Sequence, residues 1–127
     1  MHSCFKSHRL FLLLCLPMIA AVPLTAAPGD LLRSLAAPCQ YPAGLATDGA
    51  DLFVLDWRQA RIHHVSTKDG ALRQSWDAPT LKPHGLALGN DLFFVSDDQT
   101  GRIYAFNPKK NLVEYSFEAP GGRPTGL

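Results

Sequence analysis

Pro42-Ala43-Gly44-Leu45-Ala46 and, 41 residues further on, Pro83-His84-Gly85-Leu86-Ala87 are two copies of one unit. Extending the alignment outward, residues 39–79 lie without gaps on residues 80–120, and thirteen of the 41 positions are identical. Phe53-Val54 falls on Phe94-Val95, Asp56 on Asp97, Arg61-Ile62 on Arg102-Ile103 and Ala78-Pro79 on Ala119-Pro120. Before the first copy, Ala37-Pro38 matches Ala78-Pro79, and after the second, Pro124-Thr125-Gly126-Leu127 opens a third. A fixed period of this size marks a chain built from stacked supersecondary units, each unable to bury its apolar face alone.

Each copy divides into four short strands. In the first copy these are Gly44–Thr47, Leu52–Asp56, Arg61–Val65 and Ala71–Trp76, separated by the turn signals Asp48-Gly49, Trp57–Ala60 and Asp69-Gly70. The second copy places them at 85–88, 92–97, 102–107 and 112–117. Ten Gly and ten Pro suit short strands and turns, and helical periodicity is absent after the first 27 residues. Four antiparallel strands recurring at about 40 residues are the mark of a β-propeller blade. The expected fold class is therefore all-β, with about two and a half blades present, fewer than the roughly four to eight of a closed ring. Residues 30–38 are expected to be a remnant of a fourth strand, followed by blades over 39–79 and 80–120 and the start of a third copy over 121–127. A chain so divided reads as the N-terminal fragment of a longer propeller, or as a small protein whose copies assemble into a ring.

The pattern P-x-G-L-A, D-x-L-F-V-x-D and R-I resembles the NHL-repeat propellers and the related gluconolactonase-like (senescence-marker-protein) and YVTN-type propellers, many of them six-bladed. The likeness spans residues 30–127. It implies the fold and leaves the activity open, because unrelated functions sit on the same blades. Gluconolactonase-like lactonases would imply a divalent metal. Their Glu before the first strand and the Asn of their P-N-G-L motif are replaced here by Cys39-Gln40-Tyr41, His84 and Thr125. Pro83-His84-Gly85 also resembles a motif of streptogramin-lyase-like propellers. If catalytic, the complete protein would thus be a hydrolase of the lactonase type or a lyase. For this chain no catalytic residue and no cofactor are identified, and a ligand- or protein-binding scaffold is the leading expectation.

Residues 1–27 have the layout of a secretory signal peptide: Lys6 and Arg9, an apolar run from Leu10 to about Val22, then Thr25-Ala26-Ala27. The expected cut follows Ala26, since a cut after Ala27 would leave Pro28 just beyond it. Secreted or periplasmic location follows, with no membrane span after cleavage. The 127 residues carry a formal charge of +1, and losing Lys6 and Arg9 makes it −1. Neither value provides the basic field that nucleic acid demands, so the partner is a small molecule or a protein. Self-association through open blade edges is a further expectation. Cleavage also removes Cys4 and Cys15, leaving Cys39 without an internal disulfide partner. With no His or basic pair beside it in sequence, Cys39 reads as a half-buried small side chain.

Candidate functional residues follow from blade geometry. Loops between the second and third strands, and between one blade and the next, share the face around the channel mouth. That places Ala43, His84 and Thr125 in equivalent positions, with Trp57, Arg58, Asp98 and Gln99 on the adjoining loops. His84, Arg58 and Asp98 are the candidate ligand-binding residues. Asp56 with Arg61, and Asp97 with Arg102, face each other across a hairpin and are expected to be structural cross-strand pairs. Gly44 and Gly85 are expected where strands crowd the axis, and Pro38, Pro79 and Pro120 in the links between blades. His63 and His64, adjacent on a strand, point to opposite faces and cannot share one metal.

Overall fold

The computed structural model describes residues 27–127. The expected leader, 1–27, lies outside them except for Ala27. No helix among the described residues is long and apolar enough to cross a membrane. A short turn at Pro28 and Gly29, in which the Asp30 carboxylate accepts the Ala27 N–H at 2.6 Å, precedes the compact unit Arg33–Leu127.

That unit holds eight strands: β1 Pro42–Thr47, β2 Asp51–Asp56, β3 Arg61–Ser66, β4 Leu72–Asp77, β5 Pro83–Gly89, β6 Leu92–Asp97, β7 Arg102–Asn107 and β8 Leu112–Glu118. They form two antiparallel four-stranded sheets, ordered β1-β2-β3-β4 and β5-β6-β7-β8, with no crossover. The described residues are therefore all-β, two propeller blades of four antiparallel strands each. The 41-residue offset carries over to the register. Leu45 opposes Val54 as Leu86 opposes Val95, and Asp56 opposes Arg61 as Asp97 opposes Arg102. Even the irregularities repeat: the β3–β4 ladder slips between His64 and Val65, and the β7–β8 ladder between Ala105 and Phe106.

Burial explains the patterning. β2 reads Leu52-Phe53-Val54-Leu55 because a middle strand is covered on both faces, giving a continuous apolar run rather than an alternation. Phe53, Leu55 and Ile62 of the first blade pack against Leu86, Phe93, Val95 and Phe106 of the second. Fully buried Phe93 meets Phe53 and Trp76 edge-on at centroid distances of 5.0 and 5.5 Å. β1 and β2 approach β5 closely, and the glycines set how closely. A Cβ on Gly44 would stand 2.8 Å from the Leu86 backbone nitrogen, and one on Gly85 would stand 2.8 Å from Ser96 Oγ and 2.9 Å from the Gly126 carbonyl carbon. No side chain fits at either place.

Two expectations need correction. Residues 31–37, within the anticipated strand remnant 30–38, form no ladder, because a strand needs a partner and none is present among the described residues. Instead Leu35 to Pro38 line an apolar groove of about 350 Å³ with Pro42, Leu45, Leu52, Val54 and Val65. The second correction concerns the aspartates. Asp56 and Arg61 are Cα partners, yet their charges go elsewhere. Asp56 Oδ1 accepts the N–H groups of Arg58 and Gln59, both at 2.8 Å, and Arg61 pairs with Asp77 at 3.3 Å. In the second blade Asp97 Oδ1 accepts from Gln99 and Thr100 at 2.8 and 2.9 Å, while Arg102 donates to Ser116 Oγ at 3.0 Å. A short carboxylate aimed into its own turn satisfies N–H groups that would otherwise be orphaned, and a longer guanidinium reaches outward to solvent.

Candidate functional site at the channel mouth

The turns β2–β3 and β6–β7, with the links preceding β1 and β5, converge on one face. Tyr41 Oη accepts a hydrogen bond from Arg58 Nη1 at 2.9 Å, and the guanidinium carbon sits 4.8 Å from the centre of the Tyr41 ring. The Trp57 N–H donates to the Tyr41 carbonyl at 3.2 Å, tying this turn to the link before β1. Trp57 stands edge-on to Tyr41 at 6.1 Å and to His84 at 6.4 Å. His84 Nε2 lies 3.7 Å from Asp98 Oδ2, and His84 Nδ1 lies 3.3 Å from the Pro83 carbonyl. Asp98 and Gln99 join Lys82 and Arg123 around an open polar cleft of about 280 Å³.

His84 and Asp98 are thus in contact, and Arg58 reaches them through the edge-on Tyr41–Trp57 pair rather than directly. Trp57 is 38% exposed, an aromatic face open to an incoming group. Sequence reasoning passed over Tyr41, Lys82 and Arg123. Tyr41 could have been found from its position, just before the Pro42 motif and one period before Lys82; Arg123 precedes Pro124 in the same way. Arg58, Lys82 and Arg123 outnumber Asp98, so this face offers cationic and aromatic groups to a polar or anionic ligand.

A second cluster lies at the base of the β2–β3 turn. Cys39 Sγ, a carboxylate oxygen of Asp56 and a ring nitrogen of His63 lie within 4.8 Å of one another. Cys39 is half-buried as expected, but a His and a carboxylate do stand beside it. Burial first, then the Asp56 charge, push its thiol above the usual value, so it is not activated as a nucleophile. Burial holds the His63 imidazole below its ordinary value, in the neutral form. His64, on the opposite face of the same strand, stacks on Phe53 at 4.8 Å and meets Asp51 at 2.9 Å.

No family model and no curated protein sequence matches the chain. Solved structures do. The chain is similar to a structure titled Nidogen/Laminin Complex, with a TM-score of 0.58 and 18% identity over 67% of this chain and 33% of that one. It is similar to hydrazine synthase of Kuenenia stuttgartiensis, with a TM-score of 0.57 and 13% identity over 80% of this chain and 29% of the other. Virginiamycin B lyase from Staphylococcus aureus aligns with a TM-score of 0.54 and 19% identity, over 74% and 33% respectively. The chain spans about a third of the length of these structures. Identities this low carry the fold and nothing finer, and the fold they carry is that of β-propeller blades.

Proposed function

We propose that this chain is part of an exported β-propeller of the NHL or gluconolactonase-like kind, which binds a polar or anionic ligand, or a protein presenting one, at the channel mouth. The observation that carries this reading is the convergence of Arg58, Tyr41, Trp57, His84 and Asp98 on one face, beside a cleft edged by Lys82 and Arg123. Binding at such a place needs no further chemistry from the chain. Export rests on Lys6, Arg9 and the apolar run that follows.

Inorganic phosphate is a suitable probe. Trp57 stands at the mouth and Trp76 does not, so phosphate should quench tryptophan fluorescence saturably in the wild type and hardly at all in Trp57→Phe. Arg58→Ala and His84→Ala should each weaken binding by about 1–3 kcal/mol, the range for losing a hydrogen-bond partner to a charged group. Quenching that is unchanged in both variants would remove the mouth as the binding site. An enzyme of the lactonase or lyase type is the second reading. It is favoured by His84 in Pro83-His84-Gly85 and by the fold shared with virginiamycin B lyase. Loss of turnover in His84→Ala with phosphate binding retained would support it.

A further inference from the structure

We propose that Cys39, Asp56 and His63 bind one divalent cation of the zinc class. Sulfur, imidazole nitrogen and carboxylate oxygen together are a zinc or cobalt donor set, whereas magnesium and calcium take oxygen alone. Asp56 is fully buried and His63 is 6% exposed, yet Asp56 Oδ2 and His63 Nε2 have no hydrogen-bond partner. Two buried polar atoms left unmatched in one cluster are costly unless a further group satisfies them.

The outer atoms of the cluster are already arranged for ligation. His63 Nδ1 is held by Ser75 Oγ at 2.8 Å, which fixes the ring and leaves Nε2 as its free donor atom. Asp56 Oδ1 is held by two backbone N–H groups, which leaves Oδ2 as the free donor. Zinc bonds of ordinary length put ligand atoms about 3.3–3.7 Å apart, so closing from separations of at most 4.8 Å takes roughly 1 Å of movement, which Cys39 can supply because it sits in a bend rather than a strand.

The second blade shows what the cluster replaces. One period on, Cys39, Asp56 and His63 become Thr80, Asp97 and Tyr104. There the Thr80 hydroxyl donates to Asp97 Oδ2, and the carboxylate is satisfied without a metal. In the first blade that hydroxyl is a thiol and the tyrosine is an imidazole. The Cys39 thiol faces the Asp56 carboxylate as the Thr80 hydroxyl faces Asp97, but as a weaker donor, and with His63 it adds two metal-ligating atoms to the aspartate both blades share. The cation would then fasten the link that carries Tyr41 to the turn that carries Trp57 and Arg58. The inference does not depend on the mouth being a binding site.

The test uses the full chain, stripped of metal with a chelator, and two variants that copy the second blade, Cys39→Thr and His63→Tyr. Cobalt(II) should bind the wild type one to one with a thiolate-to-cobalt charge-transfer band. The Cys39→Thr difference reads Cys39 alone, because Cys4 and Cys15 are common to both proteins. Zinc, measured by competition, should bind each variant about 100-fold or more weaker, beyond what loss of a supporting contact costs. Zinc should raise the melting temperature of the wild type and leave that of Cys39→Thr unmoved. Equal zinc affinity in the wild type and Cys39→Thr, or a charge-transfer band unchanged by Cys39→Thr, would overturn the proposal.

Discussion

The two blades are the same fold written twice, and they differ in what covers them. Leu86 in the second blade is 2% exposed, pressed against the first; its counterpart Leu45 is 63% exposed. Val95 and Val54 are both buried, but Val95 lies beneath a neighbouring blade and Val54 beneath the groove that Leu35 to Pro38 help to form. At the other end Tyr115 and Phe117 are 51% and 41% exposed, on the strand where the first blade carries half-buried Trp76. A repeat position thus specifies an environment only when the adjoining blade is there to provide it.

The largest test of this contrast is a pair of truncations. Leu86→Ala should cost about 2–4 kcal/mol by chemical denaturation, whereas Leu45→Ala should cost under about 0.5 kcal/mol. A loss at Leu45 comparable to that at Leu86 would mean that something covers Leu45 in solution. Sedimentation would then show association of copies through their open faces, which we propose for concentrated solutions, the Leu45 figure being that of the dilute monomer.

Next in size is the turn aspartate. Asp97→Ala removes a buried carboxylate that accepts three hydrogen bonds and should cost about 1–3 kcal/mol. Asp56→Ala in chelator should cost less, since one of its oxygens is unmatched. Burial alone would raise the Asp97 carboxyl, but the Thr80 hydroxyl and the Thr100 and Gln99 N–H groups prevail and hold it below the usual value. A carboxylate so depressed stabilises the fold above its unfolded pKa of about 3.9, and that stability drains away as pH falls through the folded value. The gap between wild type and Asp97→Ala should therefore narrow below about pH 4. A gap that stays constant into acid would show that the lost contact was not to the charged form.

The smallest effect concerns the ends of the β2–β3 and β6–β7 turns. Ala60 has a φ of 51° and its counterpart Gly101 a φ of 67°, a backbone region that suits glycine. Ala60→Gly should stabilise the first blade by about 1 kcal/mol, observed as a raised denaturation midpoint. Gly101→Ala should destabilise the second blade, because its Cβ would come within 2.6 Å of the Gly122 carbonyl oxygen. Stabilisation by both changes would mean that the two turns do not share a conformation.

Much of this fold is legible in the sequence because register propagates. Once Phe53-Val54 is laid on Phe94-Val95, the repeat and the intervening turn signals place all eight strands to within two residues. Side-chain partners are a different matter. Register makes Asp56 and Arg61 neighbours at Cα, but rotamers decide contacts, and the vacant N–H groups of Arg58 and Gln59 are nearer than a guanidinium. The cluster of Cys39 and His63 is hidden for another reason. The two residues are 24 apart in the chain, on a link and a third strand that meet only when the blade folds. One clue was present: an alignment column holding Cys over Thr, beside columns holding Asp over Asp and His over Tyr. His84 and Asp98 fall on one face by loop geometry, whereas Tyr41 is marked only by its place just before the Pro42 motif, because its edge-on contact with Trp57 crosses a link that spacing does not reveal.

The uncrossed strand order β1-β2-β3-β4, followed by β5-β6-β7-β8, has a kinetic consequence. Every ladder joins a strand to the one made just before it, so the mean loop to be closed within a blade is short. A blade can zip up soon after its 41 residues leave the ribosome or the translocation channel, without waiting for later sequence. The docking of β1 and β2 on β5 is the one step that must bring distant segments together. Folding should thus proceed through early local pairing within each meander, made stable only when the glycine-tight contact between blades forms last and buries their apolar faces.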